Sequence, residues 1–417
     1  MNGIETHWAE VDEQGRLVLP PEAVRNFGLK PGSRIRVDAN GNHLRLHRPI
    51  TQLNKVYIEP TDLCNLDCIM CIRNGWAEAL GRMRPETFEH ILDGLSKLDQ
   101  KPVVFFGGLG EPLFHPRTID WVQQVKALGC QVELITNGTT LTPKRTHALI
   151  DAGLDTLWVS LDGASPQSYA DVRLGAELPT VLENLAYFKV ARGGGHFLRP
   201  ELGIAFVAMQ RNIGDLPEII QIGRRYGATQ FSISNVAPYT PEMQNERLYA
   251  HTISNPAFLD SIWVPHLSLP KMDMEGEAAQ VFLQTLRGSC NVSFAGSNFG
   301  GANDMCNFVA SGSMSIRWDG GVAPCWPLMH THTSYLHGKE RHNRQHIIGN
   351  VNECSLEDLW NNPDYVAYRD RLQNFVFAPC TFCGGCDLSE ANEEDCMGNT
   401  FPTCGGCLWA QGVIQCP

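Results

Sequence analysis

Between residues 51 and 240, six segments with the character of buried strands alternate with amphipathic, helix-like stretches. The strand candidates are KVYIEP, PVVFFGG, QVELIT, TLWVSLDG, LGIAFVAM and QFSISNV, dense in β-branched and aromatic residues. Between them lie PETFEHILDGLSKL, RTIDWVQQVKALG, TPKRTHALIDAG, TVLENLAYFKVARG and LPEIIQIGRRYG, whose apolar residues recur at helical spacing. Strands joined through helices run parallel, and a parallel sheet needs cover on both faces. The alternation predicts an α/β fold. A closed eight-unit barrel needs more chain, so an open, TIM-like partial (β/α)6 barrel is expected, with its chemistry at the C-terminal ends of the strands.

The chain of 417 residues has room for two or three domains. Apolar residues make up 43% and charged ones 19%, the balance of a folded chain and not of a disordered one. Acidic side chains outnumber basic ones by 45 to 33, and the net charge of −12 argues against nucleic acid or an anionic membrane as the main partner. No apolar run approaches a membrane span. The start, MNGIETHWAEVDEQG, lacks the basic and apolar regions of a signal peptide, so a cytoplasmic location is expected. In a reducing compartment the 15 cysteines read as metal ligands before disulfides. Cys64, Cys68 and Cys71 fall together, and seven more lie from Cys380 to Cys416.

Residues 1–50 read as a small β-rich unit. Strand-like EVDEQGRLVLP leads into a short helix around Glu22–Phe27 and then LKPGSRIRVDANGNHLRLHRP, with turns expected at Pro31–Gly32 and Asn40–Gly41. This pattern resembles the AbrB-type swapped-hairpin family, whose members interleave two chains and often bind DNA. Here seven basic residues stand against six acidic ones, a net of +1 that is a weak footprint for phosphate. A homodimerisation or docking module is therefore expected, with nucleic acid disfavoured. Residues 51–240 form the barrel, and 241–305 a bridging region without a usable motif. Residues 306–417 are rich in Cys, Gly and Trp, as in small folds where bound metal replaces missing core.

Directly after KVYIEP comes Cys64-Asn-Leu-Asp-Cys68-Ile-Met-Cys71. Three thiolates on one loop can reach three corners of a cubane cluster, and the next cysteine, Cys130, lies far along the chain. Four cysteines saturate a [4Fe–4S] cluster, so three leave one iron open to a ligand. A partial zinc site or buried thiols are the alternatives on the residues alone. The C-x3-C-x2-C spacing, at the end of the first strand of a β/α array, resembles the radical S-adenosylmethionine (SAM) superfamily over residues 53–240. That resemblance makes Cys64, Cys68 and Cys71 the catalytic cluster ligands.

It also assigns cofactor contacts. FFGGLGEP supplies Gly107, Gly108, Gly110 and Glu111, a stretch that in the family meets the methionine amino group. LITNGT supplies Thr136 and Asn137. VSLDGA supplies Ser160 and Asp162, for the carboxylate or ribose, and Arg173 is a further candidate for the carboxylate. Met70 stands where many relatives carry an aromatic residue against the adenine; a thioether can still touch a ring face. The implied reaction is reductive cleavage of SAM at the open iron to methionine and a 5′-deoxyadenosyl radical, which takes a hydrogen atom from a substrate. The protein supplies binding, orientation and exclusion of water. A ferredoxin or flavodoxin donor is implied by analogy.

The run Cys380, Cys383, Cys386, Cys396, Cys404, Cys407 and Cys416, with Cys306 and Cys325 upstream, resembles the SPASM extension of these enzymes. That extension holds two auxiliary [4Fe–4S] clusters. Gly320–Cys325 fits its G-x4-C element, whereas the later spacings depart from its C-x2-C-x5-C-x3-C. Nine cysteines exceed the eight that two full clusters take, so spacing does not divide them. Repeated C-x2-C pairs are also a mark of zinc ribbons. Cys290 stands upstream, and Cys130 and Cys354 read as ordinary buried thiols. His330, His332, His337, His342 and His346 read as a solvated loop, with binding of an anionic substrate group or a metal as the alternative.

The AbrB-like start, the C-N-L-D-C-I-M-C loop and the ending CGGCLWAQGVIQCP together resemble the maturases of tungsten-dependent aldehyde ferredoxin oxidoreductases. This implies an anaerobic setting and a tungsten oxidoreductase, or its pterin cofactor, as substrate. Two alternatives remain: a SPASM maturase that crosslinks or oxidises a precursor peptide, and a non-catalytic iron–sulfur protein that binds DNA. Glu111, Asn137 and Ser160 argue against the last.

Overall fold

The computed structural model describes residues 7–40, 43–193, 198–250, 252–253, 265–286, 291–294, 297–299, 306–383 and 385–417. In the N-terminal unit, β1 (Glu10–Val11) pairs antiparallel with β2 (Leu17–Val18), followed by α1 (Pro21–Asn26). A second hairpin joins β3 (Val37–Asn40) to β4 (His43–Leu46), and Gly41 between them lies outside the described residues. Among the described residues the two hairpins do not pair with each other. Trp8, Val11, Leu17, Val18, Val37 and Leu44 stay exposed, so this unit has little core of its own.

All six expected barrel strands are present. They are β5 (Lys55–Ile58), β6 (Val103–Phe106), β7 (Val132–Thr136), β8 (Thr156–Ser160), β9 (Glu201–Ala208) and β10 (Ala228–Asn235), parallel and in sequential order. The helices between them are α2 (Pro85–Lys97), α3 (Thr118–Ala127), α4 (Pro143–Asp151), α5 (Pro166–Ala170), α6 (Leu178–Ala191) and α7 (Leu216–Arg225). Five of these start with proline in the first two positions, where its missing N–H leaves no bond unmade. Thr142 caps α4, and Ser165 with Ser168 forms a capping box on α5. Among the described residues β10 and β5 do not pair, so the barrel is open.

Two features were not legible. The bridging region holds a small sheet of β11 (His266–Leu269), β12 (Asn291–Phe294) and β13 (Ser297–Phe299), with α8 (Gly276–Leu286) crossing between the first two. After α9 (Asn307–Ala310), the Cys-rich region continues the barrel sheet instead of standing apart. Its β14 (Ser313–Ile316) pairs parallel with β5, and β15 (Gly321–Ala323) follows antiparallel. Next come the hairpin β16 (His332–Leu336) and β17 (Lys339–Asn343), then β18 (Gly349–Asn350), which edges the sheet beside β15. Helices α10 (Leu356–Trp360) and α11 (Pro363–Asn374) close the region.

One hydrophobic core runs from Val56, Phe105 and Leu134 through Met314 and Ile316 to Tyr365 and Leu372. Arg369 is fully buried within it. Its guanidinium donates to the Ile50 and Trp360 carbonyls, both at 2.8 Å, and lies 3.7 Å from the Trp360 ring centroid. No helix among the described residues is long and apolar enough to cross a membrane.

Candidate active site and cysteine clusters

A cavity opens at the C-terminal ends of the barrel strands. Its wall includes Cys64, Cys68, Met70 and Cys71 from the loop after β5, and Gly108, Gly110 and Glu111 after β6. Thr136 and Asn137 at the end of β7, Ser160 of β8, and Arg173 complete that side. Every barrel residue expected at the cofactor is therefore on one wall except Gly107 and Asp162.

Glu111 organises this wall without exposing its charge. One carboxylate oxygen accepts from Thr136 Oγ1 at 2.8 Å and Leu113 N at 3.1 Å, the other from Asn137 N at 2.7 Å. Burial raises its pKa against those bonds, which hold the charged form. The ends of β6 and β7 are thus locked in register. Gly110 is required here, since a Cβ would stand 2.3 Å from the Thr61 carbonyl oxygen. Asn137 donates to Asn65 Oδ1 at 2.9 Å, with its amide 3.8 Å from Cys64 Sγ.

Asp162, expected at the cofactor, lies behind this wall and not on it. It is fully buried and off the cavity wall: one oxygen accepts from Val207 N at 2.6 Å and the other from Arg173 Nε at 2.6 Å. Its place is behind Arg173. Burial alone would lower the pKa of that guanidinium, but charge and hydrogen bonding from Asp162, with charge from Cys68 and Tyr169, together raise it. Gly107 likewise lies off the wall, packed between the Phe105 and Ile135 side chains.

Two of the three thiols of the first loop meet donors. Leu66 N lies 3.4 Å from Cys64 Sγ, and Arg73 Nε lies 3.4 Å from Cys71 Sγ. Burial pushes the Cys64 thiol up and that of Cys68 to about 11, whereas thiols that ligate metal are deprotonated outright. N–H groups aimed at sulfur suit thiolates, and this donor set fits a cysteine-ligated cluster. Among the described residues no three His, Cys, Asp or Glu side chains converge on one metal ion. A cluster does not need them to, because each cysteine takes a separate iron.

The C-terminal cysteines divide in a way spacing did not reveal. Cys306, Cys325, Cys404 and Cys407 line a second cavity. Burial raises the Cys306 thiol to about 12, and mutual repulsion adds to burial at Cys325 and Cys404. The Tyr368 hydroxyl is 3.1 Å from Cys404 Sγ. Cys380 lies apart, near Cys386 and Cys396: burial raises its thiol, Arg341 opposes, and Asp395 and those two cysteines add to the rise. Cys383 shares that tight loop, its N–H donating to the Pro379 carbonyl at 3.2 Å. Cys130 is buried as expected, Cys354 is exposed against expectation, and Cys290 lies outside the described residues.

Cys416 joins neither set. It lines the barrel cavity, because the chain end crosses from β10 to β5. Asn235 Nδ2 donates to the Val413 carbonyl at 2.8 Å, Gln415 N to Ser234 Oγ at 3.1 Å, and Lys55 Nζ to the Pro417 carbonyl at 3.1 Å. Burial raises the Cys416 thiol to about 12. The ending CGGCLWAQGVIQCP thus supplies a wall of the site, with Trp409 and Ile414 beside Tyr239 and Trp326. The residues hold no periodicity that announces this.

The His-rich stretch is not a solvated loop. His330 is buried between Glu59 Oε2 at 3.1 Å and Glu78 Oε2 at 2.9 Å. Burial would lower its pKa, but hydrogen bonding and charge from Glu59, then Glu78, outweigh that and raise it. Glu59 also accepts from Leu109 N at 3.0 Å, so the clasp ties the loop after β6 to the Cys-rich region. Burial instead lowers the pKa of His332 to about 4, keeping that ring neutral. His342 is exposed, and His337 sits at the hairpin turn with φ of 51°.

Comparison with known proteins agrees with this geometry. A model of the radical SAM superfamily matches residues 58–197, and one of the SPASM iron–sulfur cluster-binding domain matches residues 306–387. The molecule is thus a radical SAM enzyme, with a [4Fe–4S] cluster, SAM and auxiliary iron–sulfur clusters as its cofactors. More particularly, the chain belongs to the family of the tungsten-containing aldehyde ferredoxin oxidoreductase cofactor-modifying protein of Pyrococcus furiosus. It is 30% identical to that protein over 374 residues, 87% of this chain and 96% of the other. It is 28% identical over 183 residues to the AdoMet-dependent heme synthase of Methanosarcina barkeri, 43% of this chain and 50% of that one. Two solved structures share its fold at 15% identity. Native anSMEcpe with bound AdoMet gives a TM-score of 0.53, over 86% of this chain and 96% of the other. Streptococcus suis SuiB bound to S-adenosylmethionine gives 0.52, over 76% and 68%.

Proposed function

We propose that this enzyme matures a tungsten oxidoreductase by radical modification of its pterin cofactor, drawing electrons from a ferredoxin or flavodoxin. The supporting observation is the match along 96% of the Pyrococcus furiosus protein, which runs past the barrel into the cysteine-rich region. Cys64, Cys68 and Cys71 would hold the cluster with an open iron. When bound and reduced, cluster and SAM supply the radical that takes a substrate hydrogen, chemistry that belongs to the cofactors.

The remaining work is the chain's own. Met70 offers a thioether to the adenine, and Glu111 fixes the loops that present Gly108, Gly110, Thr136 and Asn137. Ser160 offers a hydroxyl. Arg173, held by Asp162, offers a guanidinium suited to a carboxylate. Trp326, Tyr239, Trp409 and the chain end exclude water. Cys306, Cys325, Cys404 and Cys407 would hold one auxiliary [4Fe–4S] cluster, and Cys380, Cys383, Cys386 and Cys396 the other.

The test is an anaerobic incubation of reconstituted enzyme, SAM and reductant with either a tungstopterin-containing oxidoreductase or a short precursor peptide. Pterin-dependent formation of 5′-deoxyadenosine, with a mass change in the pterin, is the expected result. A mass change in the peptide alone would transfer the assignment to peptide modification.

Residues 1–50 we infer to be completed by a second copy of the chain. Among the described residues the two hairpins do not pair with each other, and Trp8, Val11, Leu17, Val18 and Leu44 are left exposed, a set of apolar side chains suited to burial against a partner. Light scattering should give a dimer for the full chain and a monomer for the V18E/L44E variant. A monomeric full chain overturns this, and a salt-sensitive DNA mobility shift would restore the nucleic-acid reading.

A further inference from the structure

Arg341 lies on β17 with 3% of its surface exposed. A buried guanidinium is costly unless something compensates its charge. Arg369, equally buried, has the faces of Trp360 and Tyr365. Arg341 has no such face and no carboxylate partner among the described residues. Its neutral contacts only aim it: Nε donates to Asn343 Oδ1 at 3.1 Å, and Nη1 donates to the Ser389 carbonyl.

Both contacts and packing place the guanidinium between the two cysteine sets. Ser389 sits in the turn after Cys386, its N–H donating to the Cys386 carbonyl at 3.0 Å. On the other side Arg341 lines the cavity of Cys306, Cys325, Cys404 and Cys407. A Cβ on Gly406, in the Cys404-Gly-Gly-Cys407 turn, would stand 2.9 Å from the Arg341 guanidinium carbon. Glycine at 406 is what lets the cation come this close. Burial lowers the Arg341 pKa, and Cys380, Cys407 and Cys404 pull it back up, so thiolates of both sets act on it.

We propose that Arg341 is a positioning residue shared by both auxiliary cluster sites, the common counter-charge that sets how easily each cluster accepts an electron. The inference rests on the assignment of these cysteines to two clusters. A fixed positive charge beside a cluster favours its reduced, more negative form, since net charge and hydrogen bonding to sulfur tune the potential. One cation between two clusters raises both potentials together.

The test uses the full chain carrying C64A, C68A and C71A, reconstituted anaerobically so that only auxiliary clusters report. About eight irons per chain establish that both are present. Fewer with Arg341 intact would fault the cluster assignment itself. Potentiometric titration followed by electron paramagnetic resonance then compares Arg341, R341K and R341M. The neutral R341M variant should show roughly a tenfold lower ratio of reduced to oxidised cluster at a fixed potential, about 59 mV for a one-electron couple, at both clusters. R341K should recover most of it. Should R341M lose iron, R341K must restore it, because the charge is retained. Unchanged potentials, a shift at one cluster only, or iron loss in R341K equal to that in R341M overturns the proposal.

Discussion

With Cys64, Cys68 and Cys71 all replaced by Ala, 5′-deoxyadenosine formation from SAM should fall to the level of a protein-free control. Bound iron should drop from about twelve to about eight per chain. The effect is all-or-none because the three thiols are the cysteines that the loop brings to the cavity wall shared with Glu111 and Arg173. Cys416 shares that cavity, but from the chain end. The triple change is preferable to a single one, since two remaining thiols can retain a damaged cluster. The fold should survive: the sulfurs accept only weak bonds, from Leu66 N and Arg73 Nε at 3.4 Å and Asn137 Nδ2 at 3.8 Å, and their removal opens space toward an existing cavity. Unaltered circular dichroism with lost cleavage is the expected pair of results. Continued cleavage would remove this loop from the mechanism. Four irons with zinc in the parent protein would turn the C-terminal knots into zinc ribbons.

Much of this site could be read from the residues because the barrel's information is local. Each apolar strand ends in a short polar loop, and parallel order forces all such ends onto one rim. Glu111, Asn137 and Ser160 were therefore placed together without any knowledge of contacts. Position did not reveal role: Asp162 stands at a strand end like Ser160, yet it turns inward because Arg173 and Val207 N claim its two oxygens. The C-terminal half was opaque for a different reason. Its pairing partners are remote, β14 lying beside β5 and Pro417 beside Lys55. Nothing periodic in CGGCLWAQGVIQCP marks Cys416 as part of the barrel cavity's wall, away from the cavity that Cys404 and Cys407 line. His330 misled in the same way. Histidine-rich composition suggests solvent, and the groups that enclose it, Glu59, Glu78 and the Trp76 ring, lie more than two hundred residues away.

The Asp162–Arg173 pair carries the second large effect. Asp162→Ala leaves a buried guanidinium without its carboxylate and Val207 N without its acceptor. Breaking a buried pair from one side costs roughly 3–5 kcal/mol, which should appear as a lower urea midpoint of the anaerobic holoprotein. Removing both charges is a different matter, because no uncompensated ion remains. The double variant D162A/R173M should therefore lose less stability than the sum of the single changes, with a coupling of about 2 kcal/mol. Stability and function then separate. If Arg173 meets the cofactor carboxylate and Asp162 only holds it there, the double variant recovers stability but still binds SAM as weakly as R173M, measured by equilibrium dialysis. Asp162→Asn, which keeps an acceptor for Val207 N, should bind SAM better than the alanine variant while remaining weaker than the parent. Additive losses in the cycle would show that the two side chains act independently, and undiminished SAM binding in R173M would remove Arg173 from the cofactor.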